Sequence, residues 1–191
     1  MDEILDITLF IARVYERLDV PYLVGGSLAS SLHGIPRATQ DVDIVARMSA
    51  EHVPPFVESV RGAFYFDEDA IREAIDRHRS FNVVHLGSYF KADIFIAKDD
   101  EASQLQMSRR QRFDLGGPGV RHLDVASPED VVAQKLAWYR LGDGVSDRQW
   151  SDALGVLKVG AGRLDFAYLE RVARLLGVED LLERARSEAR V

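Results

Sequence analysis

The stretch Tyr22–Val45, YLVGGSLASSLHGIPRATQDVDIV, constrains this chain more than any other. It reads as a short apolar strand, a glycine turn, a helix, a loop and a second strand. Gly25 and Gly26 allow a sharp turn and leave no side chain in the way of a ligand. Ser27 stands where the helix begins, and the free N–H groups of a helix start form a natural anion site, suited to phosphate. Asp41 and Asp43 flank Val42 at the head of the second strand. Residues i and i+2 of a strand share a face, so the two carboxylates project side by side, roughly 7 Å apart at Cα. Two such acids repel each other unless a cation lies between them. Mg²⁺ takes carboxylate and phosphate oxygens together, which points to nucleotide chemistry. A Gly-Gly-Ser turn alone is most often only a turn, and a lone Asp-x-Asp often decorates an exposed strand end. The weight rests on their order and spacing.

Gly-Gly-Ser followed at this distance by D-h-D (h apolar) resembles the signature of the polymerase β-type nucleotidyltransferase superfamily. The resemblance implies a third acid on a neighbouring strand, and Asp93 in YFKADIFI is the candidate. An acid in so apolar a run needs a reason to be there, because burying a charge is costly; the plain alternative is an exposed edge-strand face. Within the superfamily the chain is most similar to the small bacterial AbiEii/MenT-type group. That group shows R-x-T-x-D-h-D, matched here from Arg37 through Thr39 to Asp43. Arg37 is otherwise a solvated loop charge or a partner for Asp41; the resemblance makes it a nucleotide-binding candidate. The group's second half carries P-E-D, a lysine in an apolar helix and an acid in the next helix. Lys135 and Asp152 match. For Lys135 the alternatives are a phosphate contact or a stem that snorkels to solvent; for Asp152, pairing with Lys135, accepting a proton or facing solvent.

These matches imply a metal-dependent enzyme that moves an NMP from an NTP to an acceptor hydroxyl and releases pyrophosphate. Gly25, Gly26 and Ser27 would hold phosphates. Asp41, Asp43 and Asp93 would be both catalytic residues and ligands of two Mg²⁺ ions, with Mn²⁺ as a substitute. The resemblance also implies RNA such as tRNA, a protein or a small molecule as acceptor, and a toxin's role with an antitoxin partner. A different class of function is a catalytically silent NTP-binding or interaction module.

With 191 residues, 47% hydrophobic and 29% charged, the chain suits an ordinary globular protein. The absence of cysteine excludes disulfides and cysteine-ligated zinc. No apolar run approaches the ~18 residues of a membrane span, and the acidic start MDEILDITLF lacks a signal peptide's basic region, so a cytoplasmic protein without membrane contact is expected. A net charge of −7 argues against an indiscriminate nucleic-acid coat.

The expected fold is α+β, a mixed sheet flanked by helices and followed by a C-terminal helical bundle. Apolar spacing predicts helices over 2–18, 50–62, 67–78 and 102–107, and strands over 80–86 and 89–97 joined as a hairpin at Gly87-Ser88. A second hairpin is expected over 110–115 and 120–125. Ser127-Pro128-Glu129-Asp130 has the composition of a helix start and opens a helical segment. The expected division is 1–126 and 127–191. Arg109, Arg110 and Arg112 are read as a solvated edge rather than a phosphate contact, the arginines of 184–190 as an exposed face, and His33 as a helix-end residue rather than a ligand.

Overall fold

The computed structural model describes residues 2–116 and 121–191. The described residues form one seven-stranded sheet, with strands β1 (Tyr22–Val24), β2 (Asp41–Ala46), β3 (Phe64–Tyr65), β4 (Ser80–His85), β5 (Lys91–Ile96), β6 (Gln111–Asp114) and β7 (His122–Val125) in the order β3-β4-β5-β2-β1-β7-β6. The sheet is mixed: β2 runs parallel to β5 and β1 parallel to β7, while β1–β2, β3–β4, β4–β5 and β6–β7 are antiparallel.

Strand alternation divides the sheet into two unlike faces. Val42, Ile44, Ala46, Ala92, Ile94, Phe81 and Val83 are buried on one face. Helices α1 (Asp2–Arg17), α3 (Val53–Val60) and α4 (Glu68–Asp76) pack there. Tyr15 stacks on Phe56, which meets Phe81 edge-on. The other face carries Asp41, Asp43 and Val45 beside Lys91, Asp93 and Phe95, all half-buried. Helix α2 (Gly26–His33) packs against β2 and meets α6 (Pro128–Leu141) and α7 (Asp147–Val159).

Helix α6 starts as its sequence requires. Ser127 is the N-cap, accepts the Asp130 N–H at 3.1 Å and donates to the Asp130 carboxylate at 2.6 Å, with Pro128 at the first helical position. The buried Asp130 also accepts from the Tyr168 hydroxyl at 2.8 Å, which fastens α8 (Phe166–Leu176) to α6. Helix α9 (Glu179–Ala189) follows a left-handed Gly177 and packs on α7.

The expected helix over 50–62 divides. Ala50–His52 is a 3₁₀ turn, and α3 begins only at Val53. Pro54 and Pro55 lack N–H groups and cannot continue a helix entered from upstream. The two-residue β3 lies in what the sequence shows as a connection. Strand β5 is shorter than expected because Tyr89 takes φ +61°. The second hairpin pairs Gln111 with Val125; its tip, Gly117 to Val120, lies outside the described residues. Helix α5 (Glu101–Ser108) has Asp100 as N-cap. Among the described residues no helix is long and apolar enough to cross a membrane.

Candidate active site

The glycine turn lies against the first acid strand. Gly25 donates its N–H to the Asp43 carbonyl at 2.8 Å and accepts the Ala29 N–H at 3.1 Å, so one residue ties β2 to the first turn of α2. Gly26 has φ +55°, a region that costs other L-residues energy. A Cβ there would lie 1.7 Å from Asp43 Oδ2. The carboxylate therefore rests directly on the start of α2, in space only a glycine leaves open.

Asp43 and Asp93 stand opposite each other in the parallel β2–β5 pair, and Asp41 stands opposite Lys91. All three acids share one face. Burial, then the charges of Asp41 and Asp93, push the Asp43 carboxyl up to about 6, against the lowering influence of Lys135 and Lys91. Two of the acids have cationic or hydroxyl partners. Thr39 donates to Asp41 Oδ1 at 2.8 Å, and the Lys91 ammonium lies 2.8 Å from Asp93 Oδ2. Among the described residues no three acids or histidines are arranged to hold a metal ion as placed.

Arg37, Lys135 and Asp152 form one ion cluster. Arg37 donates through Nε and Nη2 to the two oxygens of Asp152 at 2.8 and 2.9 Å, and also donates to Ser27 Oγ. Lys135 Nζ is 2.8 Å from Asp152 Oδ2. Burial would push the Asp152 carboxyl up, but hydrogen bonds from Arg37 and Lys135, with their charges, hold it below the usual carboxylate range. Lys135 is 4% exposed and does not snorkel. Arg37 is not the partner of Asp41; Thr39 takes that place. Helix α7 thus reaches the glycine turn through Asp152, Arg37 and Ser27.

Gly25, Gly26, Ser27, Asp41, Asp43 and Lys135 line a cleft of about 910 Å³ between the sheet and α6. Arg37 and Asp152 stand behind it, and Asp93 beside Asp43. His33 serves structure: its Nε2 donates to the Ala126 carbonyl at 2.7 Å and its ring meets Phe113 edge-on. Arg110 and Arg112 both pair with Asp124, and Arg109 lies over the Tyr168 ring. At the C-terminus Arg184 covers Trp150 and Arg186 pairs with Glu170. Lys91 is the site residue that sequence reasoning missed. The available signal was its place two residues before Asp93, on the same strand face.

No protein-family model and no curated protein matches the sequence. Solved structures do. The antibiotic-resistance factor ANT(2″)-Ia in solution superposes with TM-score 0.57 over 98% of each chain at 15% identity. The chain has the nucleotidyltransferase fold. An antigenic nucleotidyltransferase-like protein from Paracoccidioides brasiliensis gives 0.58 over 96% of this chain and 92% of that one at 17% identity. ANT(2″)-Ia in complex with adenylyl-2″-tobramycin gives 0.55 over 90% and 95% at 14% identity. At these identities the likeness is one of fold.

Proposed function

We propose that this chain is a nucleotidyltransferase of the polymerase β type, moving an NMP from an NTP to an acceptor hydroxyl with release of pyrophosphate. The observation that carries this reading is the contact of the Gly26 turn with Asp43, which joins a helix-start phosphate site to three same-face acids. By the chemistry of the donors, though not by their present placement, the set suits Mg²⁺ or Mn²⁺. It offers hard carboxylate oxygens, and the burial and neighbouring charges that raise Asp43 are what a divalent cation offsets. Asp41, Asp43 and Asp93 would hold the metal, which when bound would neutralise phosphate charge and lower the pKa of the acceptor hydroxyl.

The chain's own residues supply the rest. The N–H groups at the start of α2 and the Ser27 hydroxyl bind the β- and γ-phosphates and keep them in line with the leaving direction. Lys135 adds positive charge at the cleft wall, and Arg37 supports Ser27 from behind. Asp152 holds both cations in place. Asp93 accepts the proton of the attacking hydroxyl as the bond to the α-phosphorus forms and pyrophosphate departs.

The acceptor class comes from two directions. The AbiEii/MenT-type resemblance favours RNA such as tRNA, and with it a toxin held by an antitoxin partner. The adenylyl-2″-tobramycin of the ANT(2″)-Ia complex favours a small-molecule hydroxyl; a protein hydroxyl completes the set. We read 1–126 as the catalytic domain and 127–191 as a helical domain packed on it, in a cytoplasmic protein. The pairing of Asp93 with Lys91 and of Asp41 with Thr39 favours one alternative, a silent NTP-binding module whose acids are already partnered.

The test offers each α-³²P-labelled NTP with Mg²⁺ to total tRNA, total protein and an aminoglycoside panel, beside Asp93→Asn. Label transferred to one acceptor and lost in the variant is the expected result. Metal-dependent NTP binding without transfer to any acceptor would leave the silent module standing.

A further inference from the structure

Both walls of the cleft change from charged to apolar in the same direction. On the sheet, Asp43 and Asp93 are neighbours, and two residues further along the same face Val45 and Phe95 are neighbours. That step is about 7 Å, room for one ribose. On α6, Lys135 is followed three residues later by Trp138, one turn along the same helix face. Trp138 meets Phe95 edge-on, with ring centroids 6.3 Å apart. Val45, Phe95 and Trp138 all line the cleft that holds the glycine turn.

This pair does not belong to the core. Trp138 is 48% exposed and Phe95 half-buried, so an aromatic surface faces the cleft. On the adjoining helix Gln149 lines the same cleft and adds a polar side chain to its wall.

We propose that Val45, Phe95 and Trp138 form the nucleobase platform of the nucleotide site. The proposal rests on the NTP-binding reading above and extends it from the phosphates to the base. Stacking on an aromatic face tolerates any base, because every base has a π-face.

The test compares two probes by calorimetry in Mg²⁺: α,β-methylene analogues of the four NTPs, and inorganic tripolyphosphate. In Trp138→Ala the analogues should bind about 5- to 150-fold more weakly, the range for losing one base stack, while tripolyphosphate affinity stays within about twofold. Trp138→Phe should recover most of the loss. In the wild-type protein the analogues should quench indole emission, and the quench should vanish in Trp138→Ala although Trp150 remains. Unchanged analogue binding in Trp138→Ala overturns the platform. So does a parallel loss of tripolyphosphate binding, which would give Trp138 a structural role. Equal wild-type affinity for analogue and tripolyphosphate removes the base subsite and leaves the phosphate site intact. Binding of neither probe overturns the nucleotide reading and the platform together.

Discussion

Replacing Asp43 by asparagine should stabilise the metal-free protein, by an amount that grows as pH rises from about 4 to about 6 and levels off above that. In the fold this carboxyl is raised from 3.8 to about 6. A raised acid binds its proton more tightly folded than unfolded. Below pH 3.8 both states are protonated and the site is neutral towards stability. Between 3.8 and about 6 the unfolded chain ionises first, so stability falls as pH rises. Above 6 the penalty is complete. Roughly two units at 1.36 kcal/mol each give about 3 kcal/mol. Asparagine keeps the shape that fits over Gly26 and removes the charge. Urea unfolding of wild type and Asp43→Asn, in chelator from about pH 3 to pH 8, should show near-equal stabilities at the acid end and a gain of about 3 kcal/mol for the variant at pH 8. Nucleotidyl transfer should be lost at every pH. A variant no more stable than wild type at about pH 8, or equally stabilised at about pH 3, would refute the picture of a buried carboxylate crowded by its neighbours.

Three further outcomes follow from the geometry. Gly26→Ala meets both a positive φ and the Asp43 carboxylate, and should lose about 1–3 kcal/mol in urea unfolding together with NTP binding; an alanine tolerated without loss would contradict the close approach. Asp152→Ala leaves Lys135 buried without its counter-charge and should cost about 3–5 kcal/mol, with part restored by adding Lys135→Met; simple additivity in that double-mutant cycle would deny the coupling. Lys91→Ala removes a half-exposed pair and should change stability by less than about 1 kcal/mol. It should nevertheless tighten Mn²⁺ binding measured by electron paramagnetic resonance, because Asp93 loses its internal cation; unchanged or weaker binding counts against that role.

The glycine turn and the acid strand were legible because their chemistry is local. Gly25 and Gly26 announce an unusual backbone, and Asp41 and Asp43 share a face by strand period alone. The start of α6 was equally local, since Ser127 and Pro128 have few other uses in that order. The ion cluster was legible only in its members. Arg37 and Asp152 stand 115 positions apart, and no periodicity shows that one grips the other. Lys91 was missed because alternating charge on a strand reads equally well as a solvated edge. Trp138 carries no signal in the sequence beyond its place in the apolar helix of Lys135; its opening onto a cleft with Phe95 depends on how α6 lies over the sheet. Strand β3, two residues long, has no period to read.

The contact between Gly26 and Asp43 carries a consequence for how such a chain can change through descent. No side chain can enter at position 26 while the carboxylate lies where a Cβ would be. The two positions, seventeen apart in the chain, are therefore not independent letters. A lineage that keeps the acid holds the glycine with it. One that has given up the acid is left with only the turn to restrain position 26. A substitution there would thus mark the loss of the acid, even in a descendant whose sheet and helices had remained unaltered.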